Sequence, residues 1–108
     1  MKTVINFPAS VDEETLIELS ELLKMLGDVS RLKILVVCLK EPTCVTDIVA
    51  QVGLSQSLVS HHLRLLRATR LLKTQKKGRQ TFYALADEHI RCILVDLIDH
   101  VVESDREP

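Results

Sequence analysis

Thr43–Leu72 reads TCVTDIVAQVGLSQSLVSHHLRLLRATRLL, and two amphipathic patterns flank its Gly53. In the first, Thr46 is placed to cap a short helix running through Gln51, whose apolar side is Ile48, Val49 and Val52. In the second, Ser55 is placed to cap a longer helix from Gln56 to about Thr69. That helix predicts burial of Leu58, Val59, Leu63 and Leu66, with Leu65 at the margin. Two helices joined by three or four residues with a glycine in the turn form a helix-turn-helix. The other side of the second helix offers Gln56, Ser57, Ser60, His61 and Arg64. His61 and His62 are adjacent and point in different directions on a helix, so they are not a metal pair with each other.

Downstream, the period changes. LLKTQ and QTFYAL carry the Thr, Phe and Tyr of extended chain, and KKGR between them is a glycine-containing turn crowded with charge. This predicts a hairpin with a cationic tip. Upstream, Ser10 with Glu13 matches a capping box, followed by Leu16, Leu19, Leu22, Leu23 and Leu26 at helical spacing and a stop at Gly27. A second helix starts near Asp28 or Ser30, is apolar nearly all round, and breaks at Glu41-Pro42. Asp87 is placed to cap a last helix. The order is four helices, a two-stranded hairpin and a final helix: mainly α with a small β-hairpin, a winged helix-turn-helix. Residues 1–108 read as one domain, with residues 1–10 as an N-terminal arm and 104–108 as a flexible tail.

The chain has 108 residues and a formal net charge of −1, which conceals a sharp division. Ile48–Ala86 holds no Asp or Glu and seven basic residues, so the segment is +7 and the remainder −8. A cationic face of this kind is the electrostatic footprint of a nucleic-acid binder. The second helix of a helix-turn-helix enters the major groove with its N-terminal residues at base edges. Gln56 pairs with adenine, while Ser57, Ser60 and His61 suit base edges or phosphates. Ser55 and the free N–H groups at the helix start suit a phosphate. Arg64 and Arg67, a turn or two on, suit the backbone, and Lys76, Lys77 and Arg79 at the hairpin tip suit flanking phosphates or the minor groove. Each residue alone is more often a cap or surface residue. Their convergence on one segment is what predicts binding to double-stranded DNA.

The last helix, DEHIRCILVDLIDHVVE (Asp87–Glu103), keeps metal-binding side chains at both ends. His89 and His100 are eleven residues apart, roughly 16 Å along a helix axis. A zinc ion holds nitrogen and oxygen ligands at about 2.0–2.2 Å, so one straight helix cannot close on one ion with both. Eleven residues is almost three turns, however, so the histidines share a face, and His100 and Glu103 pair at i, i+3. Two such helices laid antiparallel about a two-fold axis bring Asp87 and His89 of one copy to His100 and Glu103 of the other. Ile90, Ile93, Leu94, Leu97 and Val101 then form the apolar seam of a homodimer. The same residues also fit a surface helix with polar ends, because Asp at an N-cap and Glu near a C-terminus are common.

With these features together, the sequence resembles the ArsR/SmtB family of winged-helix metal-sensing repressors from about Leu22 to Glu103. The resemblance is carried by LGDVSRLKIL, LSQSLVSHHLRLLR, GRQTFYAL and the pattern Asp87-x-His89, ten residues, His100-x-x-Glu103. It implies a homodimer that represses an operator when apo. Zn2+ between the C-terminal helices, with Co2+ as a substitute, would weaken DNA binding and release genes for metal export or sequestration. The family's second site type uses a Cys-Val-Cys pair. Here Cys44 is present, Thr46 replaces the second cysteine, and Asp47 is the only nearby helper. Sensing of cobalt, nickel, cadmium or thiol oxidation through Cys44, or of no metal, remains the alternative. Four protein ligands would leave no open coordination position and no other acid–base cluster is present, so an enzyme with a small-molecule substrate is not expected. Three widely spaced cysteines, no secretory h-region at the N-terminus and no run of about 18 apolar residues predict a cytoplasmic protein without a membrane span.

Overall fold

Capping residues and strand pairings divide the chain, of which the computed structural model describes residues 3–7 and 9–106. The order is β1 (Val4–Phe7), β2 (Ala9–Asp12), α1 (Glu13–Leu26), α2 (Val29–Lys40), β3 (Thr43–Cys44), α3 (Val45–Val52), α4 (Gln56–Ala68), β4 (Leu72–Lys77), β5 (Gln80–Leu85) and α5 (Glu88–Arg106). Described residues of the predicted arm form strands: β1 and β2 pair antiparallel, Val4 opposite Asp12 and Asn6 opposite Ser10.

That pairing displaces the predicted start of α1. Ser10 lies in a strand and donates to Asn6 Oδ1 at 2.9 Å, so it is not free to cap. Asp12, the last strand residue, caps instead: its Oδ1 accepts the Thr15 N–H and the Thr15 hydroxyl, each at 2.8 Å. Asp28 opens α2 by accepting the Arg31 N–H at 3.0 Å. Arg31 then reaches back, donating from Nε to the Met25 carbonyl at 2.9 Å and from Nη2 to the Lys24 carbonyl at 3.2 Å. One side chain thus reaches two of the four carbonyls at the end of α1.

Gly53 takes φ 71°, and its N–H donates to the Val49 carbonyl at 3.2 Å, closing α3 in a left-handed conformation that favours glycine. Ser55 Oγ accepts the Leu58 N–H at 3.2 Å and opens α4. The expected cap at Thr46 does not form. Cys44 occupies that position with no side-chain cap bond, because Thr43–Cys44 pairs with β5 and the chain passes from strand directly into helix at Val45.

The end of α4 uses an arginine where glycine is usual. Arg70 has φ 61°, the Leu71 N–H donates to the Leu66 carbonyl at 2.9 Å, and the Arg70 N–H to the Arg67 carbonyl at 3.0 Å. These are the two bonds of a Schellman motif, and its hydrophobic partners Leu66 and Leu71 are both fully buried. The chain then enters β4, which pairs with β5 from Leu72 opposite Leu85 to Lys77 opposite Gln80. Gly78 and Arg79 form the two-residue connection, and Gly78 has φ 64°, as a tight hairpin turn requires. The hairpin is not alone: β3 adds to β5 and gives a three-stranded sheet of order β3-β5-β4.

The core collects Ile34, Leu35 and Cys38 of α2, Ile48 of α3, Val59, Leu63 and Leu66 of α4, and Leu71 and Leu72. α2 is buried on one side only, with Val29 and Val36 exposed. Leu58, expected inside, is also exposed, and His62 takes an inward position at 8% exposure. Asp87 caps α5, its Oδ1 accepting the Ile90 N–H at 2.9 Å. α5 continues through Arg106, so residues 104–106 of the predicted tail are helical. The radius of gyration is 16.0 Å, against about 13 Å for a compact chain of this length.

Candidate DNA surface and metal ligands

The first three turns of α4 carry the predicted reading residues. Ser55, Gln56, Ser57, His61 and Arg64 are exposed, Ser60 is half-buried, and Arg67 is exposed one turn further on. The opposite side, Val59, Leu63 and Leu66, is locked into the core. The helix is thereby held rigidly with its N-terminal polar face outward. This is what insertion into a major groove, about 12 Å wide, requires.

The wing supplies the remaining cations. Lys76, Lys77 and Arg79 are all exposed. Alternation along β4 sends Lys76 and Lys77 to opposite faces. Lys77 Nζ lies 5.5 Å from the centre of the Phe82 ring, a cation–π contact that fixes its direction, whereas Lys76 has no such anchor. The sequence marks Phe82 only as a strand residue; its pairing opposite Gln75 is what places it under Lys77.

His62 carries no functional signal in the sequence, yet it is buried on α4 with its Nδ1 lacking any hydrogen-bond partner. Burial depresses its pKa, and the nearby Arg31 and His61 push the same way while Asp28 opposes them. The ring is therefore neutral over a wider pH range than a free imidazole. Asp28, held by the Arg31 N–H, is itself below the usual carboxylate range.

The four proposed metal donors divide as their spacing demands. Asp87 and His89 are at the start of α5, His100 and Glu103 near its end, and all four are exposed. Asp87 has one carboxylate oxygen committed to its cap, which leaves the other for a ligand. Two nitrogens and two carboxylates are a suitable donor set for zinc. A single chain does not assemble it: among the described residues, no three His, Cys, Asp or Glu side chains gather where they could hold an ion. Within one chain the four side chains stand as two separate pairs.

The stretch between these ends corrects the predicted seam. Ile90 and Leu94 are buried in the chain's own core and cannot form a surface stripe. Ile93, Leu97 and Val101 do remain exposed, at 44%, 49% and 57%, and Val95, Ile98 and Val102 join them. α1 shows the same character, with Ile17, Leu19 and Leu23 exposed. A groove lined by Leu26, Leu32, Val36, Leu97, Ile98 and Val101 runs between α2 and α5. Cys44 is buried with its Sγ 3.4 Å from Thr46 Oγ1, and Asp47 is exposed. Burial holds the Cys38 thiol up at about 12, which makes it an inert part of the core.

A rigid helix-turn-helix, a basic hairpin wing and a polar face at the start of the second helix define a winged-helix DNA-binding protein. Residues 28–74 match the model of the bacterial regulatory protein, arsR family. A transcriptional repressor SmtB homolog from Synechocystis is 39% identical over 88 residues, covering 82% of this chain and 67% of the relative. A cadmium resistance transcriptional regulatory protein CadC homolog from Staphylococcus aureus is 36% identical over 75 residues, covering 68% and 62%. Among solved structures, HlyU from Vibrio cholerae superposes with a TM-score of 0.73 at 29% identity, covering 82% of this chain and 96% of that one. The chain belongs to the arsR family of bacterial regulatory proteins, transcription regulators that bind DNA and are not enzymes.

Proposed function

We propose that this protein is a homodimeric, metal-responsive repressor of transcription, acting in the cytoplasm as a single winged-helix unit per copy. α4 enters the major groove of an operator with Gln56, Ser57, Ser60 and His61 toward the bases. Ser55, Arg64, Arg67, Lys76, Lys77 and Arg79 hold phosphates. Asp87 and His89 of one copy and His100 and Glu103 of the other would hold Zn2+, with Co2+ as a substitute, in two equivalent sites. A metal there supplies a cross-link between copies. The chain's own residues do the rest: they set the separation of the two α4 helices, which must lie about 34 Å apart to enter successive major grooves.

The observation that carries this reading is the division of donors on α5. Four exposed metal-binding side chains stand at the two ends of one helix with exposed Ile93, Leu97 and Val101 between them. Apolar surface of that extent on α1 and α5 is a suitable dimer contact. The similarity to a cadmium resistance regulatory protein CadC homolog from Staphylococcus aureus supports a metal as the signal. No helix among the described residues is long and apolar enough to cross a membrane.

The test is metal stoichiometry of the dimer alongside operator affinity with and without zinc. Two zinc ions per dimer and a loss of operator affinity are expected. His100→Ala should leave operator binding in chelator unchanged and abolish the zinc response. A response that survives His100→Ala refutes the assignment of donors. Because His89 and His100 must be neutral to coordinate, zinc binding should weaken at low pH.

A further inference from the structure

α5 is anchored to its own core by Ile90 and Leu94, but it also carries a polar tie of a different kind. The Arg91 guanidinium donates from Nη1 to the main-chain carbonyl of Leu39 at 2.8 Å, across 52 positions of sequence. Leu39 lies in the last turn of α2, where carbonyls lack helical partners and gather the negative end of the helix dipole. No left-handed residue closes that end: the C-cap is Glu41, in extended backbone. Arg91 therefore caps α2 from a distance. The same side chain is held in its own turn, Nε lying 3.3 Å from Glu88 Oε1, and its main-chain N–H donates to the Asp87 carbonyl at 3.3 Å. One arginine thus joins the turn containing Asp87 and His89 to the C-terminus of α2.

The DNA-reading half of the molecule begins just beyond the end of α2. There Thr43–Cys44 pairs with wing strand β5, and Cys44 is also the N-cap position of α3. A cavity of about 260 Å³ opens at this junction. Asp87, Glu88 and Arg91 line it from α5, Lys73 and Gln75 from wing strand β4, and Pro42 from the α2–β3 connection. The first turn of α5 and the base of the wing face each other across space, with Arg91 spanning it to α2. Close-packed elements transmit or resist displacement as a body. Here the polar tie between α5 and the end of α2 is one charge-assisted hydrogen bond beside a void, and it can be made or broken.

We propose that Arg91 is the positioning residue through which occupancy of the α5 donors reaches the wing and the helix-turn-helix, by way of the Leu39 carbonyl. The proposal rests on the metal reading above. A pull on Asp87 or His89 re-aims the turn that holds Arg91. The bond to Leu39 then either drags the end of α2, and with it β3 and α3, or breaks and leaves that carbonyl uncapped. An effector shifts a conformational equilibrium only through interactions that differ between its states, and this bond is such an interaction.

The experiment uses the full chain with Arg91→Met, which keeps the length and loses the donors, and Arg91→Lys, which keeps one. Operator affinity is measured in chelator and at saturating zinc, and zinc affinity is measured without DNA. Coupling between sites is typically about 5- to 150-fold. Arg91→Met should bind zinc at the wild-type stoichiometry and the apo operator within about threefold, while the zinc effect on operator affinity falls below about threefold; Arg91→Lys should recover most of it. A wild-type effect retained in Arg91→Met overturns the proposal, as does loss of zinc binding itself, which would make Arg91 part of the site. If Arg91→Met does not fold, hydrogen exchange on the wild-type protein decides. Zinc should change protection in residues 39–45 and at the base of the wing, and no change there overturns the proposal. A wild-type protein whose operator affinity ignores zinc defeats the metal reading first, and this proposal with it.

Discussion

Lys76→Gln offers a clean test of the wing, because Lys76 is exposed while its neighbour Lys77 rests on Phe82. Replacing Lys77 would also remove a cation–π contact of about 0.5–1 kcal/mol and so disturb the hairpin. Each phosphate neutralised by a cation contributes about −0.9 to the slope of log affinity against log salt on duplex DNA. In the proposed dimer Lys76 meets DNA twice, so the substitution should make the slope shallower by about 1.8. Between 50 and 200 mM salt, the wild-type protein should then lose about 12-fold more affinity than the variant. Fluorescence anisotropy with a labelled duplex over that range measures both slopes. The shift should be the same on operator and unrelated duplex, because a phosphate contact carries no sequence information. An unchanged slope refutes phosphate contact by Lys76, and a shift confined to the operator refutes its assignment to the backbone rather than to a base.

Ser55→Ala removes the oxygen that accepts the Leu58 N–H and should cost about 1 kcal/mol in denaturant unfolding at fixed protein concentration; a change below a few tenths would show that α4 does not depend on this cap. Arg70→Gly relieves a left-handed side-chain conformation and should stabilise by up to about 1 kcal/mol. A loss instead would show that the cost of the left-handed conformation is smaller than what the Arg70 side chain and the lower chain entropy contribute. For His62 the folded-state pKa is depressed, so the unfolded chain binds more protons. Stability should be complete above pH of about 6.5 and fall as the pH drops below that value. His62→Leu, measured in chelator, should flatten the decline below about pH 6.5; an identical decline in the variant would assign it to other groups.

The helix-turn-helix and the wing were legible because their signals are local. Gly53 and Ser55 act within one turn of themselves, and the basic run between Ile48 and Ala86 is a matter of composition. The caps at Ser10 and Thr46 failed for a common reason. Each position was claimed or bypassed by a strand whose partner lies elsewhere: β1 for Ser10, and β5 for the stretch ahead of Thr46. A capping pattern says what a side chain can do if its backbone is free, and strand pairing decides whether it is free.

The same contrast runs through the candidate sites. Spacing alone separated the donors of α5 into two halves, since a rigid helix rise does not depend on context. Which apolar residues of α5 are left for a second copy depended on the rest of the fold. Ile90 and Leu94 share a stripe with Leu97 and Val101, and only the packing of α5 against the core shows that the first two are already used. Arg91, Arg31 and His62 had no sequence signal, because a carbonyl at the end of a distant helix, or a buried ring with an orphaned nitrogen, exists only after the chain has folded. Periodicity, caps and charge determined the class of the protein, because they act over a few residues. The tertiary structure decided which polar groups meet and which apolar faces stay open, because those depend on contacts between residues far apart in sequence.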